Sequence, residues 1–145
     1  MFIKSILETK GPGLITVSPG DSVRKVAKMF KHERIGFALV NNANQSMVGS
    51  VSERDIVQAL AAHGDVGGLP VADIMTTNVV SCDIDDTVDT VRALMTDKRS
   101  RHVVVMDGQA TAGVVSIGDI IKHSLSECKI DTGLMREYIT GQGYQ

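Results

Sequence analysis

Apolar residues recur along this chain at two spacings, and the change from one to the other marks out its elements. Leu14-Ile15-Thr16-Val17 is a short β-branched run behind the helix-breaking Gly11-Pro12-Gly13, which suits a strand. Met1 to Leu7 carries too little pattern to assign. Pro19-Gly20 turns the chain, and Asp21 or Ser22 can then accept a hydrogen bond from the free amides of the next turn. Val23, Val26, Ala27 and Phe30 follow at helical spacing, predicting an amphipathic helix over 22–32 with Arg24, Lys25, Lys28 and Lys31 solvated on its other face. Gly36 to Val40 reads as a buried strand, Asn41 to Asn44 as a turn, and Met47 to Val51 as a returning strand. Ser52 then caps a helix with Ile56, Val57, Leu60 and Ala61 as its apolar stripe, and Gly64 ends it with a left-handed residue.

The same order returns after Asp65 to Pro70, a segment with two adjacent glycines that reads as a link. Val79 to Cys82 is a strand, Thr87 caps a helix with Val88, Val91, Leu94 and Met95 on one face, and Val103 to Met106 is a strand before the turn Asp107-Gly108. Ala112 to Val115 and a helix from Ile117 complete the unit. An offset of 65 relates Asp21 to Asp86 and Val40 to Val105, and an offset of 64 relates Gly49 to Gly113 onward. One residue has therefore been lost in the turn, where chains tolerate it. The expected fold is α+β: two β-α-β-β-α repeats, 1–68 and 69–128, packed sheet to sheet with pseudo-two-fold symmetry. A unit of this size buries too little surface alone, so the halves must pack on each other. A tail, 129–145, places Leu134, Met135, Tyr138 and Ile139 at helical spacing for the module or a second subunit.

Composition narrows the functional classes. The chain has 145 residues, 43% of them hydrophobic and 22% charged, and aromatics make up only 3%, so aliphatics fill the core. A formal net charge of −2 gives no general attraction to nucleic acid. Cys82 and Cys128 have no metal-site or redox spacing and read as buried thiols. No apolar run of bilayer length and no leader-like apolar region occurs, so the expectation is a cytoplasmic protein without a membrane partner. His32, His63 and His123 have no second histidine or cysteine at i+4, which argues against a metal, and the seven methionines read as core filler. No nucleophile sits beside an evident base and no Walker loop is present, so an enzyme is not expected.

The chemistry concentrates at the last strand-to-helix junction of each repeat. Gly49-Ser50-Val51-Ser52-Glu53-Arg54-Asp55 and Gly113-Val114-Val115-Ser116-Ile117-Gly118-Asp119 share Gly, Ser and Asp at the same positions. Glycine admits a ligand close to the backbone, and a helix N-terminus offers unpaired amides that suit phosphate. Ser52 and Ser116 add hydroxyls. Asp55 and Asp119 are acceptor-only at neutral pH, and their oxygens can take both hydroxyl protons of a ribose. The same Ser-x-x-Asp spacing is also a capping box, in which the acid reaches back to the cap amide. The two roles compete for the aspartates and coexist for the serines.

This repeated unit, with Asp73-Ile74-Met75-Thr76 before the second copy, Glu53-Arg54-Asp55-Ile56, and Arg34-Ile35 and Arg99-Ser100 opening the middle strands, resembles the cystathionine-β-synthase (CBS) domain, whose tandem pairs are called Bateman modules. Ser116-Ile117-Gly118-Asp119 and Arg136-Glu137-Tyr138-Ile139 are similar to a bacterial group of stand-alone CBS pairs. The resemblance implies adenosine derivatives in two clefts between the halves, and a homodimer. It implies that Asp55 and Asp119 are the ribose carboxylates and that Thr76 in the linker faces the ligand. Thr16, Ile35 and Gly36 would edge the base in one half, and Ser81, Ser100 and Arg101 in the other. Arg101 and His102 bring bulk and charge, so identical ligands in both clefts are not expected.

Arg34 and Arg99 match phosphate contacts of the family, whereas Lys98 reads as a solvated corner. Arg54, replaced by Gly118 in the second copy, makes the first cleft more phosphate-selective. The resulting expectation is a non-catalytic regulatory module. It binds AMP, ADP or ATP, or else NAD(H) or S-adenosylmethionine, and signals to a regulated protein by a change between halves or subunits. The alternative is a ligand-independent dimerisation scaffold whose motifs only cap helices.

Overall fold

The computed structural model describes the backbone of residues 1–138 and the side chains of residues 1–127. The elements run α1 (Ile3–Lys10), β1 (Thr16–Val17), α2 (Val23–Glu33), β2 (Phe37–Asn41), β3 (Met47–Ser52), α3 (Glu53–His63), a 3-10 turn (Val71–Asp73), β4 (Ser81–Asp83), α4 (Val88–Lys98), β5 (His102–Asp107), β6 (Ala110–Ser116) and α5 (Ile117–Tyr138). They form two three-stranded sheets, β1-β2-β3 and β4-β5-β6, each with a parallel pair followed by an antiparallel hairpin. The fold class is the expected α+β pair of repeats. Matching register breaks fall at Val40/Asn41 and Val105/Met106, so even the bulges repeat.

Residues within each strand alternate between two cores, as the pleat requires. In β2, Ala38 and Val40 join Val17, Val26, Phe30, Val51 and Val71 under the helices of the first half. Leu39 faces the other way and meets Val104 and Val114 of the second half, flanked by Phe37, Met47, Val79 and Met106. This sheet-to-sheet layer joins the repeats. Three helices start where the sequence placed hydroxyl caps: Ser22 Oγ accepts from Lys25 N at 3.1 Å, Thr87 Oγ1 from Thr90 N at 3.1 Å and Ser52 Oγ from Asp55 N at 3.2 Å.

Three features depart from the sequence reading. The unassigned N-terminus forms α1, with Ile3, Ile6 and Leu7 buried against Cys82, Val88, Val91, Met95 and Ile120 of the second half. Linker residues Val66 and Val71 serve the first half instead. Backbone bonds mirror this exchange: Ile3 N donates to Asp86 O at 2.9 Å and Val88 N to Met1 O at 3.0 Å, while Val71 N donates to Asp21 O at 2.8 Å and Val23 N to Leu69 O at 2.9 Å. Each half is thus closed by the segment that precedes the other repeat. The expected stripe on α3 also fails, because Val57 and Leu60 are 62% and 48% exposed and Ala61 is exposed; only Ala59 is buried and Ile56 partly so. Apolar spacing identified the helix but not which neighbour its face would meet. Finally, β4 begins at Ser81 rather than Val79, since Val79 packs into the layer between sheets.

Burial, reinforced by the charges of Asp86 and Asp83, pushes the Cys82 thiol up to about 12, so it stays protonated as core filler. Cys128 and the tail residues Leu134, Met135, Tyr138 and Ile139 lie outside the described side chains. Among the described residues, no helix is long and apolar enough to cross a membrane.

Candidate functional site

A cleft of about 620 Å³ opens where the first Ser-x-x-Asp helix faces the start of the second middle strand. The junction of β3 and α3 supplies Ser50, Ser52, Glu53, Arg54 and Asp55, and the linker supplies Thr76 and Asn78. The starts of β2 and β5 supply Arg34 to Phe37 and Lys98 to His102. Eleven residues singled out from the sequence therefore line one cavity: Arg34, Ile35, Gly36, Ser52, Arg54, Asp55, Thr76, Arg99, Ser100, Arg101 and His102.

Asp55 sits at the inner wall in a complete capping box. Its Oδ2 accepts from Ser52 N at 2.9 Å and Ser52 Oγ at 3.1 Å, and its Oδ1 accepts from Thr76 Oγ1 at 2.9 Å. Capping thus occupies one oxygen. The other is held by a neutral hydroxyl from the linker, a partner that a ligand hydroxyl can replace on equal terms. Thr76 is placed by a two-way backbone bridge to Ser50, with N···O distances of 2.9 and 2.8 Å. That approach needs the bare Cα of Gly49, since a Cβ there would lie 2.7 Å from Thr76 O.

Five cations line the cleft, Arg34, Arg54, Lys98, Arg99 and Arg101, against the two carboxylates Glu53 and Asp55. Arg34 and Arg99 are repeat equivalents, and each ends its helix in the left-handed conformation, with φ of 56° and 52°. That conformation is uncommon for a long side chain and costs about 1 kcal/mol or more. It turns the chain out of α2 and α4 at the cleft edge. Gly36 is packed against the Glu53 carboxyl, which a Cβ would approach to 2.8 Å, and its carbonyl accepts from Glu53 N at 3.0 Å.

Phe37 and His102, also repeat equivalents, stack across the pseudo-axis with ring centroids 4.6 Å apart and planes 10° from parallel. Burial, then the nearby Lys10 ammonium, lowers the His102 pKa against the weaker pull of Asp119 and Glu53, so the imidazole is neutral at pH 7 and stacks as a flat, largely apolar surface. Ser100 Oγ donates to His102 O at 2.6 Å and fixes this corner.

The second motif is built differently. Asp119 Oδ2 accepts from Ser116 N at 2.8 Å and Asp119 N donates to Ser116 Oγ at 3.2 Å, but the position corresponding to Thr76 is Pro12, which has no hydroxyl. Pro12 O accepts from Val114 N at 3.0 Å. Instead, Lys10 Nζ bonds Asp119 Oδ2 at 2.7 Å and Val114 O at 2.9 Å. Burial alone would raise the Asp119 pKa, yet the Lys10 and Ser116 hydrogen bonds outweigh it and hold the carboxyl below its ordinary value. Ser116 and Asp119 are not brought to the first cavity.

Thr16 and Ser81 also depart from the expected base-binding sets. Thr16 lies on β1 and lines a separate cavity of about 490 Å³ at the hairpin tips, with Asn41, Gln45, Met106, Gln109 and Thr111. Ser81 is exposed on β4, opposite Val104. The pseudo-axis explains the regrouping: it brings the starts of β2 and β5 together, so Ile35 and Gly36 share a cavity with Ser100 to His102 instead of serving one cleft each. Phe37, Glu53 and Lys10 went unselected by sequence reasoning. The pairing of Phe37 with His102 at the 65-residue offset was the available signal for one of them; Lys10, in an unassigned segment, offered none.

The family model for the CBS domain matches residues 4–62 and 71–126. A solved CBS-domain containing protein from Agrobacterium tumefaciens is similar to the chain with 37% identity and a TM-score of 0.81, covering 83% of this chain and 91% of that one. A CBS domain protein from Pyrobaculum aerophilum, complexed with AMP, is 29% identical with a TM-score of 0.71, covering 82% and 89%. The CBS domain pair of protein MJ0100, in complex with 5′-methylthioadenosine and S-adenosyl-L-methionine, is 26% identical with a TM-score of 0.77, covering 88% and 98%.

Proposed function

The chain belongs to the CBS domain family, and from that premise we propose that it is a regulatory module that holds an adenosine phosphate in the cleft at Asp55. The observation that carries this reading is the convergence of a carboxylate with one replaceable partner, a flat stacked edge and an excess of arginines in a single cavity. In this reading the ribose diol donates to Asp55 Oδ1 in place of Thr76, while Oδ2 keeps its cap. The base lies between Ile35–Gly36 and the Ser100–His102 corner. Phosphate oxygens meet Arg54, Arg99 and Arg34, whose guanidinium forks suit oxygen pairs. The excess of cations favours AMP, ADP, ATP or NAD(H) over S-adenosylmethionine, whose sulfonium would add a further positive charge.

Signalling follows from where these groups sit. Arg34, Arg54 and Asp55 belong to the first half and Arg99 and Arg101 to the second, so an occupant that engages both has an affinity that depends on their relative orientation. A ligand shifts such a balance only through that difference. A homodimer would transmit the shift to a regulated protein, and no catalytic step is assigned to any residue.

Titration calorimetry with AMP, ADP, ATP, NAD, NADH and S-adenosylmethionine tests the reading. Binding of at least one phosphate-bearing member is expected, abolished or weakened more than tenfold in Asp55→Ala, which still folds because losing a cap costs about 1 kcal/mol. The competing reading, a scaffold in which Asp55 only caps α3, draws on the same capping box. It predicts no heat from any member and an Asp55→Ala variant that merely melts lower.

A further inference from the structure

We infer that the cavity at the hairpin tips is a binding site of its own, separate from the arginine-lined cleft, for an uncharged nitrogen heterocycle of the nucleobase class. It lies at the far end of the strands whose starts form the first cleft. β2 and β5 line that cleft with Phe37 and His102, and they reach the hairpin cavity with Asn41 and Met106. The layer between the sheets ends here, and Leu39, Met47 and Met106 continue from it as the apolar part of the wall. Both ladders are bulged at this point, between Val40 and Asn41 and between Val105 and Met106, and bulges re-aim the side chains that follow them. At about 490 Å³ the cavity has the size of a small-molecule site, and both halves of the chain contribute to it.

Its chemistry is the opposite of the first cleft's. None of the described residues that line it is charged, so a phosphate or carboxylate would be held there without a counter-ion. Two of its neutral polar groups are poorly served by the fold. Asn41 Oδ1 is buried and meets no hydrogen-bond donor among the described residues. The Thr111 hydroxyl on β6 donates to the Met106 thioether at 3.9 Å, and sulfur is a weak acceptor. One group calls for a donor and the other for an acceptor, one from each half. A half-turn of the Asn41 carboxamide exchanges Oδ1 with Nδ2, and the carboxamides of Gln45 and Gln109 line the same cavity. A carboxamide pairs with a donor that stands next to an acceptor, which is the pattern along the edge of a nucleobase. Met47 and Met106 offer polarizable sulfur to a flat ring, a surface that a sugar lacks. The wall is also formed in advance: Asn42 Oδ1 accepts from Asn44 N and Ser46 N at 3.0 Å each, and Gln45 is held at a φ of 61°. Little ordering of the loop is then left for binding to supply.

The test is titration of the isotope-labelled full chain with adenine, cytosine, uracil and glucose in turn, followed by two-dimensional amide NMR. At least one base is expected to shift the backbone amides of Asn41, Gln45 and Thr111 and the side-chain amide of Gln109 in a saturable way, and glucose none of them. Asn41→Leu and Thr111→Val keep the volume and remove the polar groups, and each should weaken the response more than tenfold; if Asn41→Leu does not fold, Thr111→Val decides. Asp55→Ala should leave the response unchanged, because the first cleft takes no part in it. No shift at the hairpins with any base would overturn the inference, as would a response to glucose equal to that to the bases, or an undiminished response in folded Asn41→Leu and Thr111→Val. Loss of the response in Asp55→Ala would also overturn it, since the shifts would then report the first cleft.

Discussion

At the scale of single residues, Asp55 and Asp119 show how one spacing supports two chemistries. Both cap their helices, and the capping box anticipated from Ser-x-x-Asp is present at Asp55 in full. What separates them is a third partner contributed from far along the chain: Thr76 in one case, Lys10 in the other. The consequence is measurable. The folded-state pKa of Asp119 lies below its ordinary value of 3.8, so near that pH the unfolded chain binds more protons than the native one. The stabilisation is complete above the unfolded pKa and disappears as pH falls through the folded value. Melting temperature followed from pH 6 to pH 2 should therefore drop more steeply in the parent than in Asp119→Asn. Parallel curves would mean that the Lys10–Asp119 pair adds no stability.

At the scale of elements, most of the fold was legible because helices and strands announce themselves by period. Val23, Val26 and Phe30 are buried on α2 as their spacing implied, and the valines of β5 divide between the two cores. Periodicity was silent on partners. Val57 and Leu60 on α3, and Ile121 and Leu125 on α5, show apolar spacing but stand 48% to 62% exposed. Under the homodimer proposed above, these exposed apolar faces would carry the contact between copies, since apolar side chains exposed in a group mark interaction sites. Leu60→Asp and Ile121→Asp should each convert a dimer to a monomer in sedimentation equilibrium without lowering helical content. A parent that sediments as a monomer, or variants that remain dimeric, would count against this surface.

At the scale of the whole molecule, the symmetry was readable from the offsets of 65 and 64 residues, and with it the pairing of sheets and of motifs. The asymmetry was not. It arises because the segments that close the two halves are unrelated in sequence: α1 and Gly11-Pro12-Gly13 against one, Val71 to Thr76 against the other. Substitution of Arg54 by Gly118 hinted at unequal clefts, and the exchange of closing segments supplies a larger physical reason. Thr16 and Ser81 fall outside the first cavity for a related cause, since aligning the repeats shows which residues are equivalent and not which of them the axis brings face to face.

The most direct test of the central claim is a crystal structure of the chain grown with AMP. The expected difference density places the ribose hydroxyls within hydrogen-bond distance of Asp55 Oδ1, with Thr76 Oγ1 released and phosphate oxygens against Arg54 or Arg99. An unaltered Asp55–Thr76 bond and a cleft without ligand density, in crystals grown with AMP in large molar excess over the chain, would contradict it.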